Sequence, residues 1–272
     1  MSAPAAPDVL AAIVAATRTR VRESMRVVPP DQLRRDGEWW KPRGAAFVES
    51  LRTTEPVPVI AECKRRSPSR GVLRAAYDPV AIARGYAAAG AAAISVLTEP
   101  GFFDGDLTHL RAVRDAVTTP LLRKDFVVHK YQLHEAVAHG ADAVLLIVAA
   151  LDDDELRQLR EQAEALGLAV LVETHSDGEV RRALDTGATL IGVNNRNLRT
   201  LEVDIELSAR VAAWLPASIT TVSESGLRHP AEVHRLRALG YRAFLIGERF
   251  MTTPDPGAAL REFLQEAGAD AH

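Results

Sequence analysis

The chain is poor in the features that mark several protein classes. It holds a single cysteine in 272 residues, Cys63, so no internal disulfide can form, which suits a reducing cytoplasm. Cys63 sits inside an apolar run and reads as a small buried filler. There is no surplus of positive charge. Lys and Arg number 33 against 36 Asp and Glu, a net charge of -3, which argues against a nucleic-acid binder driven by phosphate neutralisation. No apolar run reaches the roughly 20 residues needed to cross a bilayer, so no membrane partner is expected. The opening MSAPAAPDVLAAIVAATRTR lacks a basic segment before its apolar stretch and reads as a short disordered start plus a helix, not a signal peptide. C-x-x-C and D-x-D-x-D-G are both missing, and the eight histidines are scattered, with His175 alone two residues after Glu173. No metal is expected, and the histidines are expected mainly at the surface or in loops.

What is present is a repeat. Apolar, β-branched runs recur at 57–63, 91–98, 120–126, 143–148, 169–173, 190–195, 219–225 and 242–248. Between them lie Ala/Leu/Glu/Arg-rich helical segments, five of which end in glycine, the usual helix stop. Strands alternating with helices imply right-handed βαβ units and a parallel sheet. Eight units at a spacing of about 25 residues predict an α/β fold, a (β/α)8 TIM barrel. The competing open doubly wound sheet usually carries G-x-G-x-x-G after its first strand, and here KRRSPSRG follows instead. The division expected is 1–56, an N-terminal helical extension, and 57–272, the barrel. In the extension, Asp8 N-caps one amphipathic helix and a second short helix begins at Ala45; both are expected to pack across one mouth of the barrel.

In such barrels chemistry lies at the C-terminal strand ends. Those ends carry Glu62 and Lys64, Thr98 and Glu99, Lys124 and Asp125, Glu173, Asn194 to Arg196, Glu224 and Ser225, and Gly247 and Glu248. Glu62 and Lys64 share one strand face, with Cys63 on the other. Any one of these charges could be a solvated loop residue. Together around one mouth they imply an ion network with shifted pKa values, because burying an unpaired ion costs several kcal/mol. Gly226 after Ser225, Gly247 and the hydroxyl of Ser67 are candidate phosphate contacts, since barrels often bind phosphate after strands 7 and 8.

Several long motifs then point one way. IAECKRRSPSRG (60–71), SVLTEPGFF (95–103), LRKDF (122–126), LVETH (171–175), IGVNNRNL (191–198) and VSESG (222–226) resemble the indole-3-glycerol-phosphate synthase family over roughly residues 8–265. The resemblance implies a carboxy-lyase of tryptophan biosynthesis with no cofactor. It would cyclise, decarboxylate and dehydrate 1-(2-carboxyphenylamino)-1-deoxyribulose 5-phosphate to indole-3-glycerol phosphate. It further implies Lys124 as general acid for ring closure, with a pKa lowered towards a useful range, and Glu173 as acid or base in dehydration. Glu62 would hold the lysines and Lys64 would orient the substrate. Asn194 and Glu224 would contact ribulose hydroxyls or orient neighbours. Arg196 would meet the substrate carboxylate, and Phe126, Leu198 and Phe103 would wall the aryl ring. Ser67, Ser225, Gly226 and Gly247 would hold the phosphate. Some relatives carry a small hydroxyl residue where this chain has Glu248, and a carboxylate cannot donate to phosphate.

The partner implied is a small phosphorylated molecule, the location cytoplasmic, and the assembly a monomer or weak homo-oligomer. A Schiff-base aldolase-type barrel acting on a phosphorylated keto-sugar, and a non-catalytic phospholigand-binding barrel, remain as alternatives. The loops 67–75 and 98–106 are candidate lids.

Overall fold

The eight apolar runs form a closed parallel barrel in the computed structural model, which describes residues 8–269. The strands are β1 (Val59–Cys63), β2 (Ala93–Leu97), β3 (Leu121–Lys124), β4 (Ala143–Ile147), β5 (Ala169–Thr174), β6 (Leu190–Asn194), β7 (Thr220–Glu224) and β8 (Ala243–Ile246). Each pairs in parallel with its sequence neighbours, and β8 closes on β1. The five glycines expected to stop helices, Gly90, Gly140, Gly167, Gly187 and Gly240, all have positive φ, the left-handed conformation that ends a helix without strain. The expected unstructured start, residues 1–7, lies outside the described residues.

Alternation along the strands sorts the core in two. Outward residues such as Val59, Ala61, Cys63, Val144 and Leu146 pack beneath the surrounding helices. Inward residues fill the barrel: Ile60, Leu122, Leu171 and Val222 come from the odd strands, with Ala93, Ala143, Leu190 and Ala243 from the even ones. Two residues further along the same odd strands, the inward positions become Glu62, Lys124, Glu173 and Glu224. The register supports one level for them: Glu62 pairs with Ser95, whereas Lys124 pairs with Leu97, two residues higher, as strand tilt requires.

The described residues of the N-terminal extension form three helices, α1 (Val9–Val27), α2 (Pro30–Asp36) and α3 (Gly44–Thr53). The sequence predicted two of them; α2 has only seven residues, too few to show a period. Asp8 caps α1 by accepting from the Ala11 N–H, and Leu10, Ile13, Thr17 and Val21 form its buried stripe. The extension does not pack across one mouth as expected. Val9 and Ile13 border the C-terminal mouth, while Phe47 and Leu51 of α3 plug the other end against the first inward layer. Gly44 approaches the Gly167–Ala169 backbone so closely that no Cβ fits. A 19-residue helix is roughly 28 Å long, enough to carry the chain away from the mouth where it starts.

The linker to α3 is pinned by the buried Asp142. Its carboxylate accepts from the Arg43 N–H at 3.0 Å, the Leu121 N–H at 3.0 Å and the Arg114 guanidinium at 2.9 Å. Among the described residues no helix is long and apolar enough to cross a membrane.

Candidate active site

The C-terminal mouth opens into a cleft of about 730 Å³, within the size range of small-ligand sites. Its floor is the ionisable layer. Lys124 Nζ donates to Glu173 Oε2 at 2.8 Å and to Glu224 Oε2 at 2.6 Å. Lys64 Nζ pairs with Glu62 Oε2. The carboxylates of Glu62, Glu173 and Glu224 are buried, and both lysines are largely so.

The glycines of this layer make room for the acids. A Cβ at Gly192 would collide with Glu224 Oε1, and one at Gly247 with the Glu62 carboxylate. Among the described residues, Glu224 Oε1 has no hydrogen-bond partner.

Burial pulls the Lys124 ammonium downward, but Glu173, Glu224 and Glu62 outweigh it and hold its pKa well above the ordinary lysine value. This corrects the expectation of a lowered Lys124 pKa: the charges around it are carboxylates, which favour its charged form. Two carboxylates share that one ammonium, and they diverge. Burial raises Glu173, but Lys124 and His175 overcome it and keep it below the usual range. Burial is the dominant influence on Glu224 and pushes it up, with Glu173 adding to the rise. A carboxylate held ionised beside one that takes a proton easily is an arrangement suited to acid–base work.

The cleft has an apolar wall of Phe126 and Phe103, with ring centroids 6.1 Å apart, and Leu198. Val9 and Ile13 of α1 complete this wall. Sequence reading missed them because nothing local ties a helix some 50 residues upstream to the strand ends. Asn194 Oδ1 accepts from the Arg196 N–H at 3.0 Å, shaping the turn after β6. The Arg196 guanidinium donates to the Leu201 carbonyl at 3.0 Å and reaches Glu248 Oε2 at 3.4 Å.

A further part of the cleft lining is Ser67, Ser225, Gly226 and Gly247. Ser67 lies in a two-stranded ribbon, Arg66–Ser67 against Gly71–Val72, in the loop after β1. Ser225 and Gly226 both have positive φ, at 64° and 81°, which turns the chain sharply after β7. Asn195 braces that turn by donating to the Ser225 carbonyl at 3.1 Å and accepting from Ser208 Oγ at 2.8 Å.

Glu248 also faces this part of the cleft. Three arginines surround it: Arg196 at 3.4 Å, Arg70 at 3.7 Å and Arg228 at 3.9 Å. Arg70 and Arg228 were not singled out from the sequence, since loop arginines are common and only the fold brings these two together.

Other strand-end polar residues serve the frame. Glu99 caps the short helix Pro100–Phe103 by accepting from Gly101, Phe102 and Phe103 N–H groups. Asp125 accepts from Arg20 of α1 at 2.9 Å, Arg123 at 2.9 Å and Thr98 Oγ1 at 2.8 Å. Burial raises Asp125, but Arg123 and Arg20 prevail and hold it at about 2.

His175 is a loop residue, in the bend after β5, and it reaches the site. Its Nε2 approaches Glu173 Oε1 to 3.1 Å, an ion-pair contact too oblique for a regular hydrogen bond, and its Nδ1 lies 3.2 Å from Glu179 Oε2. The signal available in the sequence was its position two residues beyond Glu173.

Comparison with known proteins adds the following. A family model described as indole-3-glycerol phosphate synthase matches residues 10–263. A protein of that name from Burkholderia vietnamiensis is 46% identical over 256 residues, covering 93% of this chain and 97% of that one. Another of that name, from Parafrankia sp., is 56% identical over 200 residues, covering 74% and 75%. Among solved structures, a 3-hexulose-6-phosphate synthase superposes with a TM-score of 0.61 at 15% identity, covering 77% of this chain and 99% of that one. At that identity the likeness concerns the fold alone.

Proposed function

The chain belongs to the indole-3-glycerol phosphate synthase family, and we propose that its cleft carries out that family's ring closure as a carboxy-lyase. The substrate is 1-(2-carboxyphenylamino)-1-deoxyribulose 5-phosphate, and the products are indole-3-glycerol phosphate, CO2 and water. The observation that carries the reading is the placement of Lys124 Nζ between Glu173 and Glu224, in a cleft that Phe103, Phe126, Ser67, Gly226 and Gly247 also line.

That placement supports the following division of roles. The ring carbon bearing the carboxylate attacks the ketone, and the Lys124 ammonium protonates the ketone oxygen as the carbon–carbon bond forms. Loss of CO2 returns the bonding pair to the ring and restores aromaticity. The new hydroxyl then takes a proton and leaves as water, and the neighbouring carbon, bonded to the anilino nitrogen, gives up a proton so that its C–H pair forms the ring double bond; Glu173 serves this step as acid or base. Glu62 holds Lys64 and stabilises positive charge at the anilino nitrogen, and Lys64 orients the substrate. Asn194 and Glu224 serve the ribulose hydroxyls, while Arg196 meets the carboxylate as a planar guanidinium can. Phe103, Phe126 and Leu198 hold the aryl ring, and Ser67, Ser225, Gly226 and Gly247 take the phosphate. We place the extension as residues 1–56 and the catalytic barrel as 57–272, in a cytoplasmic monomer or weak homo-oligomer acting on this one small phosphorylated molecule.

A Schiff-base mechanism would need a free amine. Lys124, held as an ammonium by three carboxylates, is in the wrong form for it. A non-catalytic phospholigand barrel would have no use for the buried acids. The test is the appearance of indole fluorescence from the carboxyphenylamino substrate with folded protein and no added metal. Absence of turnover overturns the reading.

A further inference from the structure

His175 lies just past the end of β5, where the chain turns into the helix Asp177–Asp185. Its ring is largely buried between two carboxylates. Nε2 lies 3.1 Å from Glu173 Oε1, and Nδ1 lies 3.2 Å from Glu179 Oε2. Glu179 also accepts from the His175 backbone N–H at 2.8 Å, so it grips the residue twice. A neutral imidazole has one donor and one acceptor, whereas an imidazolium offers a donor on each side. The Nε2 contact is oblique, so the preference at Glu173 is Coulombic: two facing carboxylates favour the positively charged ring.

The consequence falls on Glu173. One of its oxygens accepts from Lys124 at 2.8 Å, and the other faces His175. A carboxylate with a cation at each oxygen has a single low-energy orientation. We propose that His175 is a positioning residue: its imidazolium, braced by Glu179, fixes Glu173 with Oε2 towards Lys124 and keeps it ionised. This rests on the reading that Glu173 takes part in the reaction. The charged groups facing the ring are Glu173 on β5 and Glu179 on the following helix, with Lys124 and Glu224 beyond Glu173.

Three measurements test the proposal. In the wild-type protein, nitrogen NMR of His175 at pH 7.5 is expected to show both ring nitrogens protonated. A neutral tautomer overturns the proposal whether or not the protein turns over, so this readout is separate from the functional reading.

The second is kinetic. His175→Leu is expected to lower kcat about 10–100-fold with KM changed less than about twofold, and His175→Gln, whose amide retains one donor, to recover part of the loss. Wild-type kcat in the Leu variant, or a change confined to KM, overturns it. Should the Leu variant fail to fold, the Gln variant and the NMR measurement still decide.

The third is the pH profile. Burial alone would lower the His175 pKa, but Glu173 and Glu179 raise it to about 9. Wild-type kcat/KM, which reports the free enzyme, should decline through about 9, and that limb should vanish in His175→Gln. Identical profiles overturn the proposal.

Discussion

Gly192 stands directly beneath the Glu224 carboxylate, close enough that a single methyl group at 192 would occupy the place of Glu224 Oε1. The nearest other obstacle is Leu171 Cδ1, at 3.2 Å from the added carbon, so an alanine has nowhere to retreat. Gly192→Ala is expected to push Glu224 away from Lys124, lowering kcat at least about tenfold and costing about 1–3 kcal/mol by overpacking. Steady-state kinetics and denaturant unfolding check both parts; an unchanged kcat would show that the Lys124–Glu224 contact has no role.

Lys124→Met should abolish ring closure, a fall of about 10²–10⁴-fold, with the fold retained. Retention is expected because Glu173 keeps His175 and Glu224 readily takes a proton once the ammonium is gone. Single-turnover fluorescence with circular dichroism separates loss of chemistry from loss of structure. Glu173→Gln should also cut turnover severely, but at the later, dehydrating step.

At the proposed phosphate end Glu248 faces Arg70 and Arg228. An arriving phosphate must compete with it for those arginines. Glu248→Ser is expected to lower substrate KM and the inhibition constant of inorganic phosphate about 3–10-fold, with the gain shrinking at high salt. A raised KM would mean that Glu248 organises the arginines and does not oppose the ligand.

Stability should depend on pH through His175. Its folded pKa, about 9, is raised above the ordinary 6.5, so the folded state binds the proton more tightly than the unfolded one. The stabilisation is complete below about 6.5 and is lost as pH rises through about 9. The difference in unfolding free energy between wild type and His175→Gln should therefore be largest near pH 6 and shrink towards pH 9.5. A difference that grew with pH would reverse the assigned charge.

At the other end of the barrel, Asp142→Asn removes a carboxylate charge facing the buried Arg114. Breaking a buried pair in this way costs about 3–5 kcal/mol. Chemical denaturation should register that loss while kcat stays close to wild type, because Asp142 lies far from the cleft floor.

The sequence by itself determined the eight strands, because each is a short apolar run closed off by a glycine-ended helix, and local composition is enough to show that. It also determined the floor of the cleft. Glu62, Lys124, Glu173 and Glu224 each interrupt an apolar strand at the same end, and an ion in such a place is conspicuous without knowledge of its neighbours. Only the tertiary structure decided the rest. The sign of the Lys124 shift depends on which charges surround it, and those come from strands up to 100 residues away. The service of Val9 and Ile13 at the mouth, the plugging of the far end by Phe47, and the convergence of three arginines on Glu248 are contacts between distant segments. They arise from strand register and helix packing, and a pattern read along one dimension carries neither.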